Sequence, residues 1–164
     1  MTVAVNLWRI AAETREYKAS DLSGRGAAKY PGRWNAPGEH IVYAATTLSL
    51  AVLETAAHID DFGLPLNQFV VQLTLPVAPW NARQELQWDT MDPAWSAIPA
   101  GRASVELGSA WYKSANSALL LVPSVVVREE IVVLINARHP DAKRIKARTM
   151  RPFEYSSLFR PGSQ

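Results

Sequence analysis

The sequence predicts an α+β domain, single and built on a mixed or antiparallel sheet, and three observations predict it. Runs rich in β-forming residues stand near both ends of the chain, helix-like segments lie between them, and the regular strand–helix alternation of a parallel fold is absent. With 164 residues, 48% of them hydrophobic, the chain can bury one core. It does so without disulfides, because it has no cysteine.

Residues 3–10 alternate loosely and read as a first strand. Polar, glycine-bearing sequence then runs through residues 19–38, a loop of a length that in compact domains is functional or disordered. Residues 41–45 read as a buried strand, and Thr46 or Thr47 can cap a helix from Leu48 to about Ile59. Residues 69–75 alternate as a strand that stops at Pro76. The Trp- and Pro-rich stretch 77–99 has no period and reads as a surface excursion with a short helix. A helix over 103–114 follows, then buried strands over 118–122 and 131–135 and a last strand over 145–150.

Composition excludes several function classes. Without cysteine there is no thiolate nucleophile and no cysteine-ligated zinc or iron–sulfur site. His40, His58 and His139 lack metal-ligand spacing, so no metal site is expected. The serines lack a hydrolase elbow, and Ser23-Gly24-Arg25-Gly26 matches neither a P-loop nor a dinucleotide fingerprint. Residues 1–10 do not resemble a signal peptide and no apolar run approaches the ~20 residues of a membrane span, so a cytoplasmic, unprocessed protein with no membrane partner is expected. A formal charge of +2 and a pI near 9.0 do not by themselves imply nucleic acid. Lys143, Arg144, Lys146, Arg148 and Arg151 gather before Phe153, as on a solvated edge strand or at an anion or partner contact.

Four residues carry candidate chemistry. Glu54 sits between Leu50-Ala51-Val52-Leu53 and Thr55-Ala56-Ala57, leaving a polar stripe with Thr47 and His58 that either meets solvent or lines a cleft. Arg33, in Gly32-Arg33-Trp34-Asn35, has an aromatic neighbour to hold a guanidinium that can grip phosphate, or is a surface arginine beside a structural tryptophan. Arg9 lies in an apolar strand and needs an acceptor if it points inward, either Glu54 or a ligand pyrophosphate. Tyr43 is core packing or a platform for a flat ring.

Leu7-Trp8-Arg9-Ile10, Gly32-Arg33-Trp34-Asn35, Val42-Tyr43-Ala44-Ala45, Leu53-Glu54, Val122-Pro123-Ser124 and Ile135-Asn136-x-x-His139-Pro140 together resemble the RES-domain family, named for arginine, glutamate and serine. Each motif is weak, but the ordered set covers nearly all of residues 1–164, read as one RES domain. The resemblance implies an ADP-ribosyltransferase-like fold and the toxin of a bacterial toxin–antitoxin pair. Such toxins deplete NAD, as substrate rather than cofactor, by hydrolysis or by phosphorolysis with inorganic phosphate. Carried over, Glu54, Arg33 and Tyr43 are catalytic, and Arg9, Arg33, Tyr43 and a serine bind NAD. Ser124 fits the Pro-Ser step, while Ser117 precedes the same strand and is the alternative. The implied partner is an Xre-type antitoxin whose helix-turn-helix domain binds DNA and which blocks the toxin's cleft, in a complex that includes a toxin homodimer or a larger assembly. Two other readings remain open: a transferase placing ADP-ribose on protein, and a non-catalytic module that uses Trp80 to Trp95 and the region of Arg148 to hold a partner.

Overall fold

The computed structural model describes residues 4–59 and 63–159, so Val3, where the first strand is expected to begin, lies outside the described residues. One sheet holds seven strands: β1 (Ala4–Ala12), β2 (Ile41–Ala45), β3 (Gln68–Pro76), β4 (Gln84–Glu85), β5 (Leu119–Pro123), β6 (Ile131–Asn136) and β7 (Lys146–Phe153). Their order is β4-β5-β6-β2-β1-β3-β7. All neighbours are antiparallel except β4 and β5, so the sheet is mixed. Among the described residues four α-helices accompany it: α1 (Arg25–Lys29), α2 (Leu48–Ala56), α3 (Val77–Asn81) and α4 (Arg102–Ser114). This is the expected α+β class.

The central strands are apolar on both faces because both faces are covered. Along β5, Leu120 and Val122 join a core with Trp34, Leu50 and Trp95, while Leu119 and Leu121 join a second core with Leu7, Val71 and Ile135. That is why Leu119-Leu120-Leu121-Val122 reads as an unbroken run rather than an alternation. Thr47, of the two candidates, caps α2 by accepting the Leu50 N–H at 3.2 Å. The helix ends at Ala56, short of Ile59, where the chain tightens into a turn with His58 N bonded to Thr55 O.

Three sequence readings change. The loop over 19–38 contains α1, which buries no residue and so leaves no helical period to detect. The excursion over 77–99 is more than surface: besides α3 and β4 it drives Trp95 into the core, where it stacks on Trp34 with centroids 6.0 Å apart. β7 runs on to Phe153 and forms an edge of the sheet, with Lys146, Arg148 and Arg151 exposed. Among the described residues no helix is long and apolar enough to cross a membrane.

One feature of the sheet creates a site. β1 and β3 pair along nine positions, but β1 and β2 share only Trp8↔Ala45. Beyond that pair the strands diverge, and the gap is not filled by a side-chain layer.

Candidate active site

The gap between β1 and β2 opens into a cavity of about 1190 Å³. Residues 8–12 form one wall, and Ile41, Tyr43 and Ala44 form the other. The segment 24–37 and helix α2 close it further. Such a volume exceeds the range of about 300–1,000 Å³ usual for small-ligand pockets and accommodates an extended ligand. Arg9, Arg33, Tyr43, Glu54 and Ser124 all line it.

Glu54 turns from α2 into the cavity together with Ala51, Thr55 and His58, while Leu53 is 41% exposed. Of the polar stripe expected on this helix, Glu54 and His58 line the cleft while Thr47 is exposed outside it, and the apolar Leu53 also faces water. The Ser124 hydroxyl, just after β5, donates to Glu54 Oε1. The same hydroxyl oxygen accepts the N–H groups of Val126 at 3.1 Å and Val127 at 3.0 Å. Two amides polarise the hydroxyl and the hydroxyl orients the carboxylate. Glu54, a lining residue of the cavity, is thus held through Oε1.

Arg33 is fixed by the excursion that follows α3. Its Nη1 donates to Trp95 O at 3.0 Å and to Ala97 O at 2.7 Å. Burial draws its guanidinium below the ordinary value, while Glu54 and Tyr43 act in the opposite direction. An arginine spending one nitrogen on two carbonyls keeps its remaining donors for an anion. Tyr43 is engaged differently. Its hydroxyl donates to Asn35 Oδ1 at 2.7 Å and accepts the Trp34 N–H at 3.1 Å. Burial pushes this phenol far above the usual tyrosine range. Such a hydroxyl is a structural tie rather than an acid or base, and what Tyr43 offers a ligand is its ring.

Arg9 supplies the second arginine. Its Nε is buried and has no hydrogen-bond partner among the described residues. Burial lowers its pKa, and the charges that oppose this are Asp21 and Tyr17, not Glu54. Of the two acceptors open from sequence, Glu54 makes no hydrogen bond with the Arg9 Nε among the described residues. Ser117, the alternative serine, is not among the residues lining the cavity; its hydroxyl accepts the Trp111 indole N–H at 3.0 Å and bonds Gln84 Oε1 and Leu119 O.

Residues 6–156 match the family model described as "RES domain". The chain belongs to the RES-domain family. It is 47% identical to the "Prs ADP-ribosylating toxin" of Sphingobium sp. over 93% of this chain and 95% of that one. It is 38% identical to "Toxin Res" of Yersinia enterocolitica, with 81% and 84% covered. A "Toxin Res" of Pseudomonas putida is 34% identical, with 85% and 90% covered.

In this RES domain the site depends on residues that sequence reasoning did not assign. Asn35 joins the arginine segment to Tyr43: Oδ1 also accepts the Gly32 N–H, and Nδ2 donates to Ala27 O and Ala36 O. Gly32 is required beside it, because a Cβ there would lie 2.7 Å from the Tyr43 hydroxyl. Helix α4 clamps the segment from behind. Ser104 Oγ donates to Arg33 O at 2.8 Å, and buried Glu39 accepts from Ala36 N and Ser109 Oγ. Gly108 admits this approach, since a Cβ there would sit 1.7 Å from Trp34 O. The one sequence signal for this network was an asparagine inside an otherwise suggestive tetrapeptide. Trp95 carried another, because a tryptophan is costly to expose wherever it stands.

Proposed function

We propose that this protein is an NAD-consuming toxin that breaks the bond between nicotinamide and its ribose. The observation that carries the reading is one cavity that brings together Arg9, Arg33, Tyr43 and Glu54, whose carboxylate Ser124 orients. Arg33 and Arg9 neutralise the pyrophosphate, and the Tyr43 ring packs against nicotinamide or its ribose. Cleavage returns the C–N electron pair to the pyridinium, so nicotinamide leaves neutral and needs no proton donor. Positive charge is left on the ribose. Glu54 stabilises that charge and accepts a hydrogen bond from a ribose hydroxyl. An acceptor then attacks the anomeric carbon and releases its proton.

Water as acceptor yields ADP-ribose, and inorganic phosphate yields ADP-ribose 1″-phosphate. A protein side chain yields an ADP-ribosylated protein, and this second reading is favoured by the 47% identity to a toxin named for ADP-ribosylating Prs. The same reading includes an Xre-type antitoxin that seats a segment in the cavity and carries the only contact with DNA. Tyr30, 73% exposed, and Ile98, 83% exposed, support it as apolar contacts at the cavity.

The test is incubation of the purified protein with NAD in buffer, in phosphate and with a cell extract, followed by mass spectrometry. Nicotinamide release is expected, with protein masses raised by ADP-ribose in the extract. NAD left intact under all three conditions sinks the enzyme reading and favours a partner-binding module.

A further inference from the structure

The cavity has two chemically distinct ends. Two groups of charged and aromatic residues line it: Arg33 with Tyr43 and Glu54, and Arg9 with Tyr17 and Asp21, whose charges act on the Arg9 guanidinium. A dinucleotide that puts its nicotinamide ribose at Glu54 and its pyrophosphate at the arginines still has its adenosine to place. Tyr17, Asp21 and Arg25 line the same cavity and offer it polar and aromatic contacts. A second hollow of about 380 Å³ shares Tyr17, Arg25 and Tyr30, so this end is open on the α1 side as well.

We propose that this end is the adenosine subsite, with the Asp21 carboxylate accepting a hydrogen bond from the adenosine ribose and thereby selecting NAD over its 2′-phosphorylated form. The proposal rests on the NAD reading above. Bonds from neighbouring groups hold Asp21 in a fixed orientation. Its Oδ1 accepts the Ser23 N–H at 3.0 Å, and its Oδ2 accepts the Ser23 hydroxyl at 2.8 Å and Arg25 Nη2 at 3.3 Å. Oδ1 keeps a lone pair for a ribose hydroxyl. Burial works to raise the Asp21 pKa, but the Ser23 and Arg25 bonds outweigh it and hold the group ionised. A fixed carboxylate suits a ribose diol and repels a phosphate in its place. Beside it the Tyr17 ring, with the Arg25 guanidinium 5.4 Å from its centroid, offers a flat face to a purine. Arg25 is the group that could instead welcome a phosphate. It is already shared between Asp21 and Glu16 O and its side chain is 53% exposed, which blunts its field.

The experiment uses Glu54→Gln as a parent that binds without turnover and measures affinity for NAD, NADP and nicotinamide mononucleotide by calorimetry. The parent is expected to prefer NAD over NADP by about tenfold or more. Adding Asp21→Asn weakens NAD by about tenfold, narrows the preference and leaves the mononucleotide unchanged, because that ligand has no adenosine. Adding Tyr17→Ala, which leaves the Ser23 and Arg25 bonds in place, weakens NAD but not the mononucleotide, and serves if the Asp21 variant does not fold. The proposal is overturned if the parent binds NAD and NADP equally, or if mononucleotide affinity falls in step with NAD in either variant. A parent that binds none of the three overturns the NAD reading itself.

Discussion

Ser117 and Ser124 stand at opposite ends of β5 and are almost equally buried, at 2% and 1% exposure. They do different things. The Ser117 end is closed: its hydroxyl binds the indole of α4, the side chain of β4 and its own strand, and nothing is left over. The Ser124 end is open, because its donated proton reaches Glu54, a carboxylate on another element that faces a cavity. Burial and residue type are the same at the two ends, so neither tells them apart. What separates them is whether the hydroxyl's partner faces the cavity.

Substitutions can break or sharpen this contrast. The largest effect is expected at Glu54→Gln, which keeps the shape and a hydrogen bond to Ser124 but loses the charge; nicotinamide release should fall by about a thousandfold with the melting curve nearly unmoved. Activity that survives this change removes Glu54 from the chemistry. Ser124→Ala should cost on the order of tenfold to hundredfold in kcat, because a carboxylate free to rotate is a misplaced one. Ser117→Ala should reverse the pattern, lowering stability in urea by about 1–3 kcal/mol while activity per folded molecule is kept. If the two alanine variants behave alike, the contrast is wrong.

A smaller effect separates Tyr43 from both serines. Its phenol is raised above the ordinary value of 10.0 by burial, so its neutral form is bound more tightly by the folded state than by the unfolded chain. The stability this contributes is complete below pH 10.0 and is lost as the pH climbs from there toward the higher folded value. Tyr43→Phe should therefore show a flatter alkaline stability profile than the parent in melts recorded above pH 10.0, along with a loss of about 1 kcal/mol at neutral pH from the severed tie to Asn35. An unchanged alkaline profile would mean that the phenol is not buried as described.

Much of the fold is legible along the chain because local patterns report local environments. The apolar runs at β5 and β6 and the alternation in β3 each announce a strand within a residue or two of its ends, and the Thr47 cap announces where α2 begins. α1 and β4 escape because neither buries a side chain, so neither imposes a period. At the site, Glu54 was suspect for its apolar neighbours and Arg33 for its setting between glycine and tryptophan. Asn35, Ser104 and the carbonyls of Trp95 and Ala97 were not, since backbone acceptors and long-range ties leave no composition to read.

The sequence by itself determined the α+β class, the strands and helices of the core, and a set of residue types suited to an anionic, flat-ringed ligand. Only the tertiary structure decided that these residues meet. The reason is the single pairing of Trp8 with Ala45: strands that diverge after one ladder position open a cleft between them, and divergence depends on partners distant in the chain. Contacts between residues distant in the chain likewise set the two serines apart, since Ser124 bonds Glu54 and Ser117 bonds the Trp111 indole.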